Sequence, residues 1–213
     1  MFLTQYAPEI LFHTGEHLFL VIIAMIMAVS LGLPLGILIT RQTQLVQPIL
    51  GVANALQTIP SLAIFGFLIS VPFLGGIGKV PAIVALTLYA LLPIIRNTYT
   101  GINSVDPAIV ESGKGMGMTD LQLLFQVEIP LALGVILGGI RIATVISVGI
   151  ATIGAAIGGG GLGVFIFRGI ASVNNELILA GAVPSAIIAL AADFLLGLLE
   201  KKLTQERDQK DHN

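Results

Sequence analysis

LFLVIIAMIMAVSLGLPLGILIT, residues 18–40, runs for 23 residues without a charged side chain. A helix needs about 20 apolar residues to cross the hydrocarbon core, so this stretch can span a bilayer with some tilt. The rest of the chain has the same character: of 213 residues, 55% are hydrophobic and only 10% charged, where a soluble domain carries about 25% charged residues. The composition is that of an all-α membrane protein with little chain left for an aqueous domain. A net charge of −2 lacks the basic footprint of a nucleic-acid binder. Zero cysteines exclude disulfides, thiolate metal sites and a cysteine nucleophile. Residues 1–17 carry Glu9 and Glu16 but no Lys or Arg. The positive region of a secretory signal peptide is missing, and the N-terminal segment is expected to be retained.

Outward from residues 18–40, the uncharged runs between basic residues predict about five transmembrane helices. The run from Arg41 to Lys79 is too long for one helix and is cut by Pro48, Pro60 and Pro72. It reads as an interfacial helix beginning near Pro48, then a second span over about 59–74. A third span covers 80–102. A fourth opens at Pro130, a residue suited to a first helical turn, and runs to about Gly154. The fifth covers about 177–199. Five spans put the termini on opposite sides, and the positive-inside rule sets which is which. With the C-terminal tail inside, Arg41, Arg96, Lys114, Lys201, Lys202, Arg207 and Lys210 are cytoplasmic, Lys79 and Arg168 are outside, and Arg141 lies within the fourth span. The chain then divides into an external segment 1–17, a transmembrane domain 18–200 with a loop over 103–128, and a charged cytoplasmic tail 201–213.

The loop over 103–128 is the longest polar stretch on the inner side. Asp106-Pro107 reads as an N-cap with proline in the first turn, and Thr119 with Gln122 as a capping box opening a second short helix. Gly113, Gly115 and Gly117 between them permit a sharp turn. The result is a helix-turn-helix on the membrane surface showing Met116, Met118, Leu121, Leu124 and Phe125. It suits either an element resting on lipid or a docking site for a soluble partner.

Glu111-Ser112-Gly113, three residues, Gly117, nine residues, then Val127-Glu128-Ile129-Pro130 closely resembles the E-A-A-x3-G-x9-I-x-L-P loop of permease subunits of binding-protein-dependent ABC importers. Glu111, Gly117 and Pro130 fall in register; Ser112 and Gly113 replace two alanines, and Val127 and Ile129 replace Ile and Leu. The stretch Gln57-Thr58-Ile59-Pro60-Ser61-Leu62-Ala63 and the run from Gly139-Ile140-Arg141 to Gly163 resemble the osmoprotectant branch, which imports glycine betaine, carnitine, choline or related quaternary amines. The resemblance covers nearly the whole chain. It implies a type I ABC importer permease fold in a bacterial cell membrane. It implies that Glu111, Ser112, Gly113, Gly115, Met116, Gly117 and Leu121 form a coupling helix in a cleft of a cytoplasmic ATPase. It also implies a second permease copy or a homologous permease, and an extracytoplasmic substrate-binding protein. No catalytic residue and no cofactor is expected in this chain, with ATP and Mg used by the partner ATPase.

Other signals are weaker. Gly158, Gly160 and Gly163 spell G-x-G-x-x-G, but no preceding strand or acidic residue in an alternating fold supports a nucleotide site. The segment reads as a flexible connection or as a close-approach backbone element. Gly32 with Gly36, Gly134 with Gly138, and Gly154 with Gly158 are small-xxx-small pairs for close helix contact. Arg141 and Asp193 sit at similar depths and can form an ion pair, structural or gating, if the fourth and fifth helices touch. His13, Glu16 and His17 lack the H-E-x-x-H order of a zinc helix and read as an interfacial helix. Tyr89 and Tyr99 read as interfacial aromatics. Thr58, Ser61, Thr144 and Ser147 are the candidates for lining a translocation path. The rival reading is a self-contained secondary transporter or channel, against which stands the absence of a recognisable inverted repeat.

Overall fold

A computed structural model describes residues 2–72 and 76–208. Helix α1, Phe2–Arg41, is one rod of 40 residues, ~60 Å long at 1.5 Å per residue and about twice the hydrocarbon thickness. No break marks residue 17: the acidic N-terminal stretch forms the first turns of the spanning helix itself. A short 3-10 turn, Thr43–Leu45, leads into α2, Val46–Thr58, and then α3, Ser61–Ile69, which are bent by 97° at Ile59-Pro60. Pro60 has no N–H to continue the ladder, and it drives Ile59 into extended backbone at φ −72° and ψ 129°. The interfacial helix expected from near Pro48 and the span expected over 59–74 are thus the two arms of one bent pair, the second too short to be a span by itself. The nine residues of α3 rise only ~14 Å, and Leu74 lies outside the described residues.

Helix α4, Lys79–Asn103, returns through the middle of the bundle. The loop helices α5, Pro107–Gly115, and α6, Asp120–Leu123, follow. A π-helical turn, Leu124–Glu128, joins α6 to α7, Ile129–Gly154, so that residues 120–157 make one continuous rod. Helix α8, Gly163–Ala171, begins at the last glycine of the run 158–163, and α9, Asn175–Asp208, ends the described chain. The Asn174 side chain caps α9 by accepting from the backbone N–H groups of Glu176 and Leu177. The charged tail continues α9 as far as residue 208, and Lys210 lies outside the described residues. Among the described residues, four helices are long and apolar enough to cross a membrane, or five when the bent pair counts as one span.

Helix α4 is the hub, packed between α1 and α7, while α9 is the least buried of the long helices. The central core interleaves small residues, Ala24 and Ala28 of α1, Ala82, Ala85 and Ala90 of α4, Ala143 and Ala151 of α7, with Leu20, Phe65, Leu86 and Ile94. In lipid, close van der Waals approach replaces the hydrophobic effect between helices, so alanines and glycines at crossings carry the association. A Cβ on Gly32 would stand 2.8 Å from Ile94 Cγ2, and one on Gly36 2.5 Å from Thr98 Cβ. The 134/138 pair behaves differently: Gly138 faces open space, and its neighbour Gly139 makes the α4–α7 crossing, where a Cβ would meet Asn97 Cβ at 2.5 Å and the Pro93 carbonyl at 2.8 Å.

Candidate functional site

The coupling loop is built by local chemistry. The Asp106 carboxylate accepts from the Ala108 N–H at 2.9 Å and starts α5. Thr119 and Gln122 close a full capping box: the Gln122 N–H donates to Thr119 Oγ1 at 3.3 Å, and the Thr119 N–H to Gln122 Oε1 at 2.9 Å. Gly117 takes φ +81° at the turn between the two helices, a conformation costly for residues with a Cβ. Gly113 is buried because α6 crosses it: a Cβ there would lie 2.8 Å from Leu123 Cδ1. Glu111, Ser112, Gly115, Met116, Gly117 and Leu121 are all exposed. Met116 at 77%, Leu121 at 68% and Phe125 at 62% exposure present apolar side chains that the described residues leave uncovered. Leu124 and Met118 depart from the expected surface: Leu124 is buried beside Ile102 and Ala132, and the Met118 thioether rests over Gly113.

Beneath the loop lies a pair that sequence reasoning missed. Glu128, buried in the π-helical turn, receives both terminal nitrogens of the Arg41 guanidinium, one at 3.1 Å. A crevice of about 290 Å³ beside it is lined by Thr40, Arg41, Glu111, Lys114 and Glu128. The end of α1 is thus tied to the turn through which the loop enters α7. The available signal was a carboxylate two residues before the proline that opens an apolar span, which needs a partner to be buried.

Midway along α7, Arg141 forms a bidentate pair with Asp193 of α9 at 2.6 and 2.8 Å, and its third nitrogen reaches Glu200 Oε2 at 3.5 Å. Asp193 and Glu200, seven residues apart, share a face of α9. The four path candidates are placed separately. Thr58 is exposed and Ser61 half-buried on either side of the α2–α3 bend. Thr144 lines an apolar crevice between α1, α7 and α9, with its hydroxyl returned to the Ile140 carbonyl. Ser147 is fully buried, its hydroxyl 3.7 Å from Met25 Sδ. Tyr89 is not an interfacial anchor: it is buried, its hydroxyl donates to the Ile59 carbonyl freed at the bend, and its own carbonyl accepts from Gln57 Nε2 at 2.9 Å.

At the end of the bundle away from the loop, the N-terminal acids meet the basic residues read as lying on their side. Glu16 accepts from Lys79 Nζ at 2.8 Å and from the Gly161 N–H at 3.2 Å, and lies 3.0 Å from His13 Nδ1; Glu9 pairs with Arg168. His17 is fully buried with Nε2 on the Val148 carbonyl at 3.1 Å. The glycine-rich run is a packed element, not a flexible connection. A Cβ on Gly160 would fall 2.6 Å from Glu16 Oε2, and one on Gly163 1.8 Å from the Thr152 carbonyl.

Residues 21–205 match the family described as binding-protein-dependent transport system inner membrane component. The chain is 47% identical to the carnitine transport permease protein OpuCB of Listeria monocytogenes and 48% identical to the choline transport system permease protein OpuBB of Bacillus subtilis, each over 95% of this chain and 92% of the relative. It is 47% identical to the osmoprotectant import permease protein OsmW of Salmonella typhimurium over 90% of each chain. In fold it is similar to a chain of the MetNI methionine ABC transporter in an inward-facing conformation, with a TM-score of 0.82 at 24% identity over 92% of this chain and 96% of that one. A chain of an amino acid ABC transporter solved with histidines gives a TM-score of 0.77 at 21% identity over 94% and 96%.

Proposed function

From the premise that this chain belongs to the binding-protein-dependent transport system inner membrane component family, we propose that it passes a quaternary-amine osmoprotectant through an ATP-driven importer. The chain is a transmembrane ABC permease. The observation that carries the substrate class is near full-length identity of 47–48% to permeases named for carnitine, choline and osmoprotectant import. In this reading the N-terminus faces outside and the C-terminus the cytoplasm, by the excess of basic residues at the loop end. An extracytoplasmic binding protein delivers the solute, a second permease completes the path, and a cytoplasmic ATPase seats the face made by Met116, Leu121 and Phe125.

The mechanism is a difference in binding. If the ATPase holds Glu111 to Gly117 differently with and without ATP, that difference biases α7 between inward- and outward-open arrangements. The loop is rigidly joined to α7 through the π-helical turn and to α1 through Arg41 and Glu128, so its displacement reaches the core helices. Residues of this chain move the path, and ATP is hydrolysed elsewhere. The test is Glu111→Lys in the importer reconstituted with its ATPase and binding protein. Setting like charges against each other at an interface costs several kcal/mol, so uptake of glycine betaine falls more than about tenfold and the ATPase no longer copurifies. Undiminished uptake by this variant would sink the coupling role.

A further inference from the structure

Arg141 lies twelve residues into α7, ~18 Å along its axis. Its side chain keeps 35% of its surface exposed, Asp193 43% and Glu200 31%. Charges at such a depth face protein or water rather than lipid. Gly197, one turn after Asp193, makes room for the guanidinium: a Cβ there would stand 3.1 Å from the nearer terminal nitrogen. On the open side is a cavity of about 430 Å³ lined by Arg141, Leu190, Asp193, Phe194, Leu198 and Lys201, within the size range of small-ligand sites.

We infer that this cavity is a transient station on the translocation path for a zwitterion, a quaternary ammonium carrying a carboxylate. The inference rests on the substrate class proposed above. Arg141 and Lys201 offer positive charge to a carboxylate. Asp193 offers negative charge to the ammonium, with Glu200 held beside it through Arg141 at 3.5 Å, and Phe194, 65% exposed, offers its ring to the methyl groups. With Glu200 counted through its contact with Arg141, the two cations and two anions sum to zero, so a zwitterion enters without adding net charge, whereas a bare cation or anion brings one. The Arg141–Asp193 pair parts to receive the solute and closes behind it. Because each ion exchanges one partner for another, occupancy is weak and release fast, as a path requires.

The chain has no cysteine, so Leu198→Cys places a single thiol on the cavity wall. The whole importer in lipid nanodiscs, with both faces accessible, is treated with a water-soluble methanethiosulfonate, and modification of this chain is read by mass spectrometry. The thiol reacts, and glycine betaine slows the reaction by the factor 1 + [L]/Kd, about threefold at twice Kd. Adding Asp193→Asn removes the protection. Leu190→Cys, at the other end of the cavity, gives the same pattern should the first variant fail to assemble. A thiol that does not react, because lipid or a second copy covers it, overturns the inference, and so does reaction at a rate indifferent to glycine betaine. Uptake by unsubstituted importer in proteoliposomes separates the two levels. With uptake intact, an unprotected thiol refutes the station alone; no uptake of glycine betaine, carnitine or choline refutes the substrate reading beneath it.

Discussion

At the residue scale, neighbouring glycines on α7 have opposite roles. Gly139 lies where α4 crosses, and a Cβ there meets the Pro93 carbonyl and Asn97; Gly138 meets nothing within 4 Å. Gly139→Ala therefore forces two backbones apart, and overpacking of this kind costs about 1–3 kcal/mol. Gly138→Ala is neutral or slightly stabilising, since alanine is the better helix former by about 1 kcal/mol. The check is the fraction of detergent-solubilised protein that stays monodisperse after heating, where Gly139→Ala fails at lower temperature than Gly138→Ala. The sequence displayed small residues four apart, but not which face meets a neighbour. That face depends on the crossing partner, and a shift of one residue turns a helix by about 100°. Tyr89 shows the same gap: an aromatic near the middle of α4 is informative only once the Pro60 bend delivers a free carbonyl to its hydroxyl.

At the element scale, what was legible is what is local. The Asp106 cap, the Thr119–Gln122 box and the turn at Gly117 are each made by residues within a few positions of one another, and the backbone of the loop emerges as read, while Met118 and Leu124 turn inward onto more distant neighbours. The break at Pro60 was legible because it is local, but what receives the carbonyl freed there, Tyr89, was not; the glycine run was read as either a flexible connection or a close-approach element, and only its distant neighbours Glu16 and His17 decide for the second. The Arg41–Glu128 pair spans 87 positions and belongs with these. Arg41→Ala leaves a buried carboxylate without its guanidinium, whereas Arg41→Ala with Glu128→Ala removes the uncompensated charge. The single change is thus expected to lower thermal stability and ATP-driven uptake more than the double does, with a coupling energy of about 1–3 kcal/mol. Additive effects in that cycle would show that the pair does not link the loop to α1.

At the scale of the whole molecule, the two ends of the bundle are tied by different means, and the alternating access proposed above requires that the path never open at both together. Around Glu16, the Lys79 ammonium at 2.8 Å and the Gly161 N–H at 3.2 Å tie α1 to the start of α4 and to the glycine run before α8, with His13 of α1 itself at 3.0 Å. Glu16→Gln keeps the shape and an acceptor for Gly161 but removes the charge that holds Lys79. It therefore loosens this end without disturbing the coupling loop. Linkage makes the consequence appear at the other end: if opening here accompanies closure of the ATPase dimer, a loss of about 1.4 kcal/mol from the closed state raises the open population about tenfold. ATP hydrolysis by the reconstituted complex without binding protein is expected to rise several-fold, and Lys79→Met to do the same. The doubly substituted Glu16→Gln, Lys79→Met complex should add nothing further, because both changes break one tie. Combining Glu16→Gln with Glu111→Lys decides whether the ends communicate through this chain. With the coupling face disabled, the excess hydrolysis disappears; hydrolysis that rises regardless would mean that Glu16 acts on stability alone.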